Sequence, residues 1–279
     1  MPGTLYVVAT PIGNLEDVTL RALRVLREVS LIAAEDTRRT ARLLQHYSIS
    51  TRTTSLHEHN ERSKTGSLIA RLTAGESIAL VSDAGTPGIS DPGTLFIAAA
   101  HAAGIRVEPV PGASASLAAL SASGLSGREF IFAGFAPNRS KARQNWLATM
   151  ATEPRVMIFY EAPHRIRLTL EDMLAIFGDR LIALGRELTK AHEELVVRPI
   201  SKHLLDLKEE RGEFTLVVSG FPADSILERQ PPAAADLALE FGYLTNNNGL
   251  NRREAIKYLA SRYGLASREV FSLLEQAKN

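Results

Sequence analysis

Apolar residues along the first part of the chain fall in short runs, and between the runs they recur at helical spacing. Leu5–Ala9, Leu31–Ala34, Ser77–Val81 and Arg106–Val110 read as strands. Thr19–Glu28 carries Leu20, Leu23, Leu26 and Val29 on one helical face, and Thr37–Tyr47 and Thr94–Ala103 also read as helices. Such alternation predicts βαβ units and a mainly parallel sheet. After a Ser/Gly-rich stretch at 121–127 the rhythm changes. Phe130–Phe135, Val156–Tyr160, Leu181–Gly185, Leu195–Arg198 and Phe214–Ser219 predict strands, with helices over Lys141–Met150, Arg165–Phe177 and Lys202–Glu209. The last two strands enclose only a short helix, which predicts a mixed sheet. Residues 223–233, with Pro222, Pro231 and Pro232, read as a second linker. Three short helices follow, over Ala234–Phe241, Arg252–Tyr263 and Ser267–Ala277, with N-cap residues in Leu250–Glu254 and Ala266–Glu269 and Gly264 at a turn. The expected fold class is α/β: a first domain over 1–120, a second over 121–222 and a helix–turn–helix-like module over 232–279.

Composition narrows the setting. The 279 residues suit two modest domains and an appendage. There is no cysteine, which excludes disulfides and thiolate zinc sites and favours an intracellular protein. The N-terminus lacks a basic n-region and an apolar h-region, and no stretch approaches the roughly 20 apolar residues of a membrane span. A soluble cytoplasmic protein is expected. The net charge is +1, so any nucleic-acid contact must come from local patches. Residues 251–279 hold six Lys/Arg against three Glu, which suits either a nucleic-acid-facing module or a solvated helical cap.

Three loops carry unusual backbone chemistry. VSDAGTPGISDPG (81–93) packs three glycines, two prolines and two aspartates behind a strand. Glycine permits close approach and positive φ, while proline stiffens. Asp83 stands at the strand end, where a carboxylate can accept from a ribose or an ammonium. Asp91 reads as the N-cap of the next helix, with Pro92 in its first turn. Thr10–Asn14 and Pro111–Ser116 also follow strands, the second opening an Ala-rich helix whose N–H groups suit an anion. Ligands of open α/β sheets bind outside the carboxyl ends of strands, so the three loops can converge on one small molecule. The phosphate-binding P-loop, the dinucleotide G-x-G-x-x-G and the nucleophile elbow are all missing. His57 and His59 have no evident third ligand, and no metal is expected.

ATPIGNLEDVTLRAL, AEDTRRT, HEHNE, VSDAGTPGISDPG, PGASA, FYEAPHR and RELTKAHEE occur in this order. Together they resemble the ribosomal RNA small-subunit methyltransferase I family, a branch of the tetrapyrrole-methylase-like, class III S-adenosylmethionine methyltransferases. The resemblance implies two α/β domains with S-adenosylmethionine in the cleft between them, a homodimer, and 2′-O-methylation of a decoding-centre cytidine in 16S rRNA on the small ribosomal subunit. It maps cofactor contacts onto Pro11, Asp83, Gly85, Thr86, Ser114 and Ala115, with Tyr160, Leu188 and Thr215 from the second domain.

Methyl transfer to a hydroxyl needs alignment, and a base or a cation near the developing alkoxide. Charged residues gathered at strand ends are the candidates: Glu187 or Glu161 as base or orienter, Lys190 and Arg186 as charge stabilisers, with His164, Glu35 and Asp36 nearby. Candidate RNA contacts are Arg38, Arg39, Lys64, Arg139, Arg143 and Arg165, with His57 from HEHNE. Arg42, Arg62 and Lys141 are further candidate phosphate contacts, as are Arg21 and Arg24, although the helix of these last two reads better as a solvated face. Two other readings stay open. One is a small-molecule, tetrapyrrole-like methyltransferase; the other is a non-enzymatic ribosome-binding factor.

Overall fold

In the computed structural model, residues 1–125, 127–207, 210–222, 234–246, 250–263 and 265–277 are described. The expected linker over 223–233 and the turn at Gly264 lie outside them. The first sheet holds β1 (Thr4–Val8), β2 (Leu31–Ala34), β3 (Thr53–Ser55), β4 (Ile78–Val81) and β5 (Arg106–Val110) in the order β3-β2-β4-β1-β5, every pair parallel. Both faces are covered, as a parallel sheet requires. Side chains alternate across β4: Ala79 and Val81 join one core with Val8, Ile32, Leu26 and Leu43, while Ile78 and Leu80 join the other with Leu5, Leu56, Leu72 and Phe96.

Four helices wrap this sheet: α1 (Leu20–Glu28), α2 (Thr37–His46), α3 (Glu61–Thr73) and α4 (Thr94–Ala102). Thr19 and Asp36 cap α1 and α2 by accepting from Ala22 N and Arg38 N. The sequence reading corrects at α4. Its N-cap is Gly93 rather than Asp91, in a φ of +121° where an added Cβ would lie 2.7 Å from Leu80 Cδ2. The helix's N-terminal donors are met from elsewhere, since buried Glu61 of HEHNE accepts from Phe96 N at 3.0 Å.

A fifth helix, α5 (Ala115–Ala122), leaves the first sheet and packs Ala119 and Leu120 on Val156, Ile158, Ala183 and Val217 of the second. That sheet comprises β6 (Phe130–Phe135), β7 (Val156–Glu161), β8 (Leu181–Arg186), β9 (Glu194–Pro199) and β10 (Phe214–Val218) in the order β6-β7-β10-β8-β9. Only β6 and β7 are parallel, so the sheet is mixed. Its other face buries Met157, Phe159, Leu184 and Leu216 under α6 (Ser140–Ala148), α7 (Ile166–Phe177) and α8 (Ile200–Asp206). The C-terminal helices α9 (Ala234–Asn246), α10 (Arg252–Tyr263) and α11 (Ser267–Gln276) share their own core of Leu237, Leu244, Leu259, Val270 and Leu274. Asn251 and Glu254 cap α10 reciprocally, each side chain accepting from the other's backbone N–H at 3.0 Å.

Candidate active site

Because β1 lies between β4 and β5, the loops after these three strands leave the sheet side by side. Thr10 and Gly85 join two of them by a pair of backbone hydrogen bonds, 2.8 and 3.0 Å. Gly85 takes a φ of +85°, which brings this backbone against Ile12 and Ala113. Above the loops sits the second sheet, tied to the first turn of α5 by Ser116 N donating to Tyr160 Oη at 3.2 Å.

Between the halves lies a cavity of about 350 Å³. The structure brings Asp83, Gly85, Thr86, Ser114, Ala115, Tyr160, Leu188 and Thr215 together in its lining. Pro11 instead lines an adjoining chamber of about 380 Å³ that shares Ile12, Arg39, Asp83, Ala84 and Glu213 with the first.

One wall of the first cavity is acidic. Asp83 accepts from Asp36 N at 2.9 Å, lies 3.5 Å from Arg39 and donates its own N–H to Glu35 at 3.1 Å. Burial pushes the Glu35 carboxyl up, opposed by the hydrogen bond from Asp83 N and assisted more weakly by the Asp83 charge. Burial also pushes Asp91 up to about 6, against a hydrogen bond from Ser82. Glu35 was expected near the site, whereas Asp91 and Glu213 were absent from it. Asp91 read as a helix cap, and two charged positions 56 residues apart in sequence, Glu35 and Asp91, give no local signal of meeting.

The loop after β8 supplies the other charges. Glu187 and Thr189 hold positive φ values of +49° and +67°, and Lys190 Nζ bridges Glu187 Oε1 at 2.8 Å and Glu213 Oε2 at 2.9 Å. Burial alone would raise the Glu187 carboxyl, but the Lys190 ammonium and the Glu213 N–H outweigh it and hold it below its usual range. Burial likewise opposes charge on Lys190, and its two carboxylate partners reverse that and raise it. Lys190 is therefore a cation at neutral pH, and Glu187 is too weak a base to take a hydroxyl proton readily. Arg186 pairs with Glu194 at 3.0 Å. Glu161 borders the cavity with its carboxylate fully committed: to Thr169 Oγ1 at 2.6 Å, to Ala162 N at 2.8 Å and to Arg165 at 3.3 Å. That geometry makes Glu161 a brace rather than a free base.

The expected RNA contacts divide. Arg38 and Arg139 are exposed, Arg38 pairing with Asp36 at 2.7 Å, and Arg39 faces both chambers. Three others are turned to structural work. Arg143 is only 3% exposed and binds Asp172 at 2.6 Å, joining α6 to α7. Arg165 holds Ala136 O, Asn138 and Glu161. Lys64 donates to Thr54 Oγ1, Ser55 O and Ser55 Oγ, fastening α3 to β3. His57 accepts from Asn60 Nδ2 at 2.9 Å, with the His59 ring 6.0 Å away. Among the described residues no three metal-ligating side chains gather.

The cavity fits the expected cofactor. Its carboxylates suit the ammonium and sulfonium of that cofactor and can accept from its ribose hydroxyls. Ser114 leaves the N-terminus of α5 without a side-chain cap, its Oγ pairing with Ser116 Oγ instead, which leaves backbone donors for a carboxylate.

A sheet of each kind with the cavity between them defines a class. The chain belongs to the Tetrapyrrole (Corrin/Porphyrin) Methylases, whose family pattern matches residues 4–203. A uroporphyrin-III C-methyltransferase from Thermus thermophilus, complexed with S-adenosyl homocysteine, shares the fold at a TM-score of 0.57 and 19% identity, over 78% of this chain and 97% of that one. Within the family the chain falls in a narrower branch. It is 52% identical to the ribosomal RNA small subunit methyltransferase I of Pseudomonas aeruginosa, over 79% of this chain and 80% of that protein. To the protein of the same name from Escherichia coli it is 44% identical, over 94% and 96%.

Proposed function

We propose that the chain transfers a methyl group from S-adenosylmethionine to the ribose 2′-hydroxyl of a decoding-centre cytidine in 16S rRNA. It would act as a homodimer on the small ribosomal subunit in the cytoplasm. The observation that carries the cofactor half of this reading is the cavity itself, where three strand-end loops and the second sheet enclose an acidic, partly apolar space. When bound there, S-adenosylmethionine supplies an electrophilic methyl group. Ser114 and Ala115 at the head of α5 hold its carboxylate, and Asp83, Asp91 and Glu35 face its cationic and hydroxyl groups. Tyr160, Leu188 and Thr215 close the side toward the second sheet. Among the described residues no helix is long and apolar enough to cross a membrane.

On the acceptor side, Lys190 lines the second chamber and binds Glu213, which both chambers share. Its retained charge would stabilise the hydroxyl oxygen as that oxygen gains the methyl group, the donor's C–S bond breaking in the same step and the hydroxyl proton passing to solvent water. Glu187 and Glu213 position that ammonium, and Arg186 is fixed alongside by Glu194. The test is incubation with labelled S-adenosylmethionine and small subunits lacking the modification, beside free 16S rRNA and a tetrapyrrole precursor. Label in 2′-O-methylcytidine, from subunits, is the expected result. Label only in the tetrapyrrole would move the chain to the small-molecule reading, and cofactor binding without any transfer would move it to a ribosome-binding factor.

A further inference from the structure

The two adjoining chambers differ in charge. The first presents Glu35, Asp83 and Asp91. The second is lined by Arg39, Arg42 and Lys190, with Asp83 and Glu213 as its carboxylates. Those two carboxylates already have partners, Asp83 in Arg39 at 3.5 Å and Glu213 in Lys190 at 2.9 Å, the ammonium being shared with Glu187 at 2.8 Å. The guanidinium of Arg42, exposed on α2, has no carboxylate partner among the described residues. Pro11, Ile12, Leu15 and Leu43 complete the chamber with apolar surface. A space that offers one uncompensated cation beside apolar walls, and opens onto a second that suits a cation, is complementary to an amphipathic anion.

We propose that this second chamber receives the acceptor nucleotide, with Arg42 binding a backbone phosphate next to the target ribose. The shared wall of Ile12, Ala84 and Glu213 is then where acceptor and cofactor meet. The assignment rests on the rRNA methyltransferase reading and deepens it: Arg42 sets the register of the strand so that the 2′-hydroxyl comes to that wall, where Lys190 binds Glu213. Phosphate contacts position without reading sequence, so the residue governs affinity and alignment and leaves base identity to others.

The experiment measures binding of Arg42→Ala, Arg42→Glu and Arg42→Lys to small subunits lacking the methyl group, without cofactor, across a salt series. Methylation kinetics and S-adenosylhomocysteine affinity are measured beside it. Losing one phosphate contact should lower the slope of log affinity against log salt by about one. At moderate salt KM for subunits should rise about five- to tenfold in Arg42→Ala and further in Arg42→Glu. Arg42→Lys should restore most of the slope, because a lysine also binds phosphate as a point charge. S-adenosylhomocysteine affinity should not change. Arg24→Ala, which removes an exposed arginine from α1 paired with Glu28, should leave slope and KM at wild-type values. If wild type methylates subunits and Arg42→Ala matches it in slope and KM, the chamber assignment is wrong and the rRNA reading stands. Equal losses of S-adenosylhomocysteine and subunit affinity would also overturn it, since Arg42 would then support the cofactor cavity. If wild type ignores subunits and methylates a carboxylate-bearing tetrapyrrole with an Arg42-dependent KM, the rRNA reading itself fails, and the phosphate assignment with it.

Discussion

Gly13 lets the first half approach the 188–190 loop of the second closely, and its substitution tests whether that approach holds Lys190 in place. A Cβ at Gly13 would overlap Lys190 Cγ and lie 2.7 Å from Thr189 Oγ1 and 3.1 Å from Leu188 O. The lysine stem can swing away, but Leu188 O is backbone and Thr189 is held by Asn14 N at 3.0 Å. Gly13→Ala therefore forces the 188–190 loop back. Overpacking of this kind costs about 1–3 kcal/mol. Displaced Lys190 also loses two partly exposed ion pairs, each worth about 1 kcal/mol or less. We expect a net loss near 2 kcal/mol, or a fall in Tm of about 4–8 °C for a domain of this size.

Activity should fall more than stability, with kcat/KM down at least about tenfold, because the loop carries the Lys190 cation while the acidic wall of the cofactor cavity is untouched. S-adenosylhomocysteine affinity should fall by no more than about threefold, a change under 1 kcal/mol, because Leu188 is the one residue of that cavity's lining that moves with the loop. Gly66→Ala is the comparison: nothing lies within 4 Å of its added Cβ in the middle of α3, so it should stabilise by about 0.5–1 kcal/mol. Calorimetric melting, isothermal titration and steady-state methylation read the three quantities. A Gly13→Ala enzyme with wild-type Tm and kcat/KM would show that the loop does not depend on this approach, and the role given to Lys190 would lose its structural basis.

Breaking the buried Arg143–Asp172 pair by Arg143→Ala strands a carboxylate between α6 and α7 and should cost about 3–5 kcal/mol; denaturant unfolding reads it, and a wild-type midpoint with weakened subunit binding would restore Arg143 to the RNA surface. His203 is buried, donates from Nε2 to Ile182 O and accepts from Arg198 at Nδ1, and burial foremost pushes its pKa down, the Ile182 bond opposing, Arg198 assisting and Asp206 opposing more weakly. The unfolded chain therefore binds a proton that the folded one refuses, so this contribution is full above about pH 6.5 and is lost as pH falls below it. His203→Gln should flatten the pH dependence of unfolding between about pH 5 and 7, and an unchanged profile would place the titration elsewhere.

Legibility of the sequence followed from how local each signal was. Parallel core strands such as Ile78–Val81 are short apolar runs, buried at every position, and stand out against amphipathic helices. By contrast β3 is only Thr53–Ser55, polar and at the sheet edge, paired through Ile32 and Thr53. The α3 pattern is interrupted by Gly66, which lowers helical signal without preventing the helix. In the site, glycine and proline marked the strand-end loops by backbone demand alone. Which way a charged side chain turns was not legible: Arg143 and Arg165 read as surface cations, yet their partners Asp172, Glu161 and the Ala136–Asn138 backbone come together only in three dimensions.

The backbone itself marks where function concentrates. Non-glycine residues rarely hold positive φ, and each such position costs about 1–3 kcal/mol. Among the described residues four do so: Ser48 just past the end of α2, outside both chambers, and Ser90, Glu187 and Thr189, which border or adjoin them. The strain at Glu187 and Thr189 is offset by specific bonds. Glu187 N donates to Glu213 O at 3.0 Å, Lys190 N to Glu187 O at 3.0 Å, and Asn14 N to Thr189 Oγ1 across the junction. A relaxed loop would free these residues from unfavourable φ but would carry Lys190 away from Glu213 and from the wall common to both chambers. The fold thus departs from local preference where a fixed positive charge is needed between a site built for a cation and a site built for an anion.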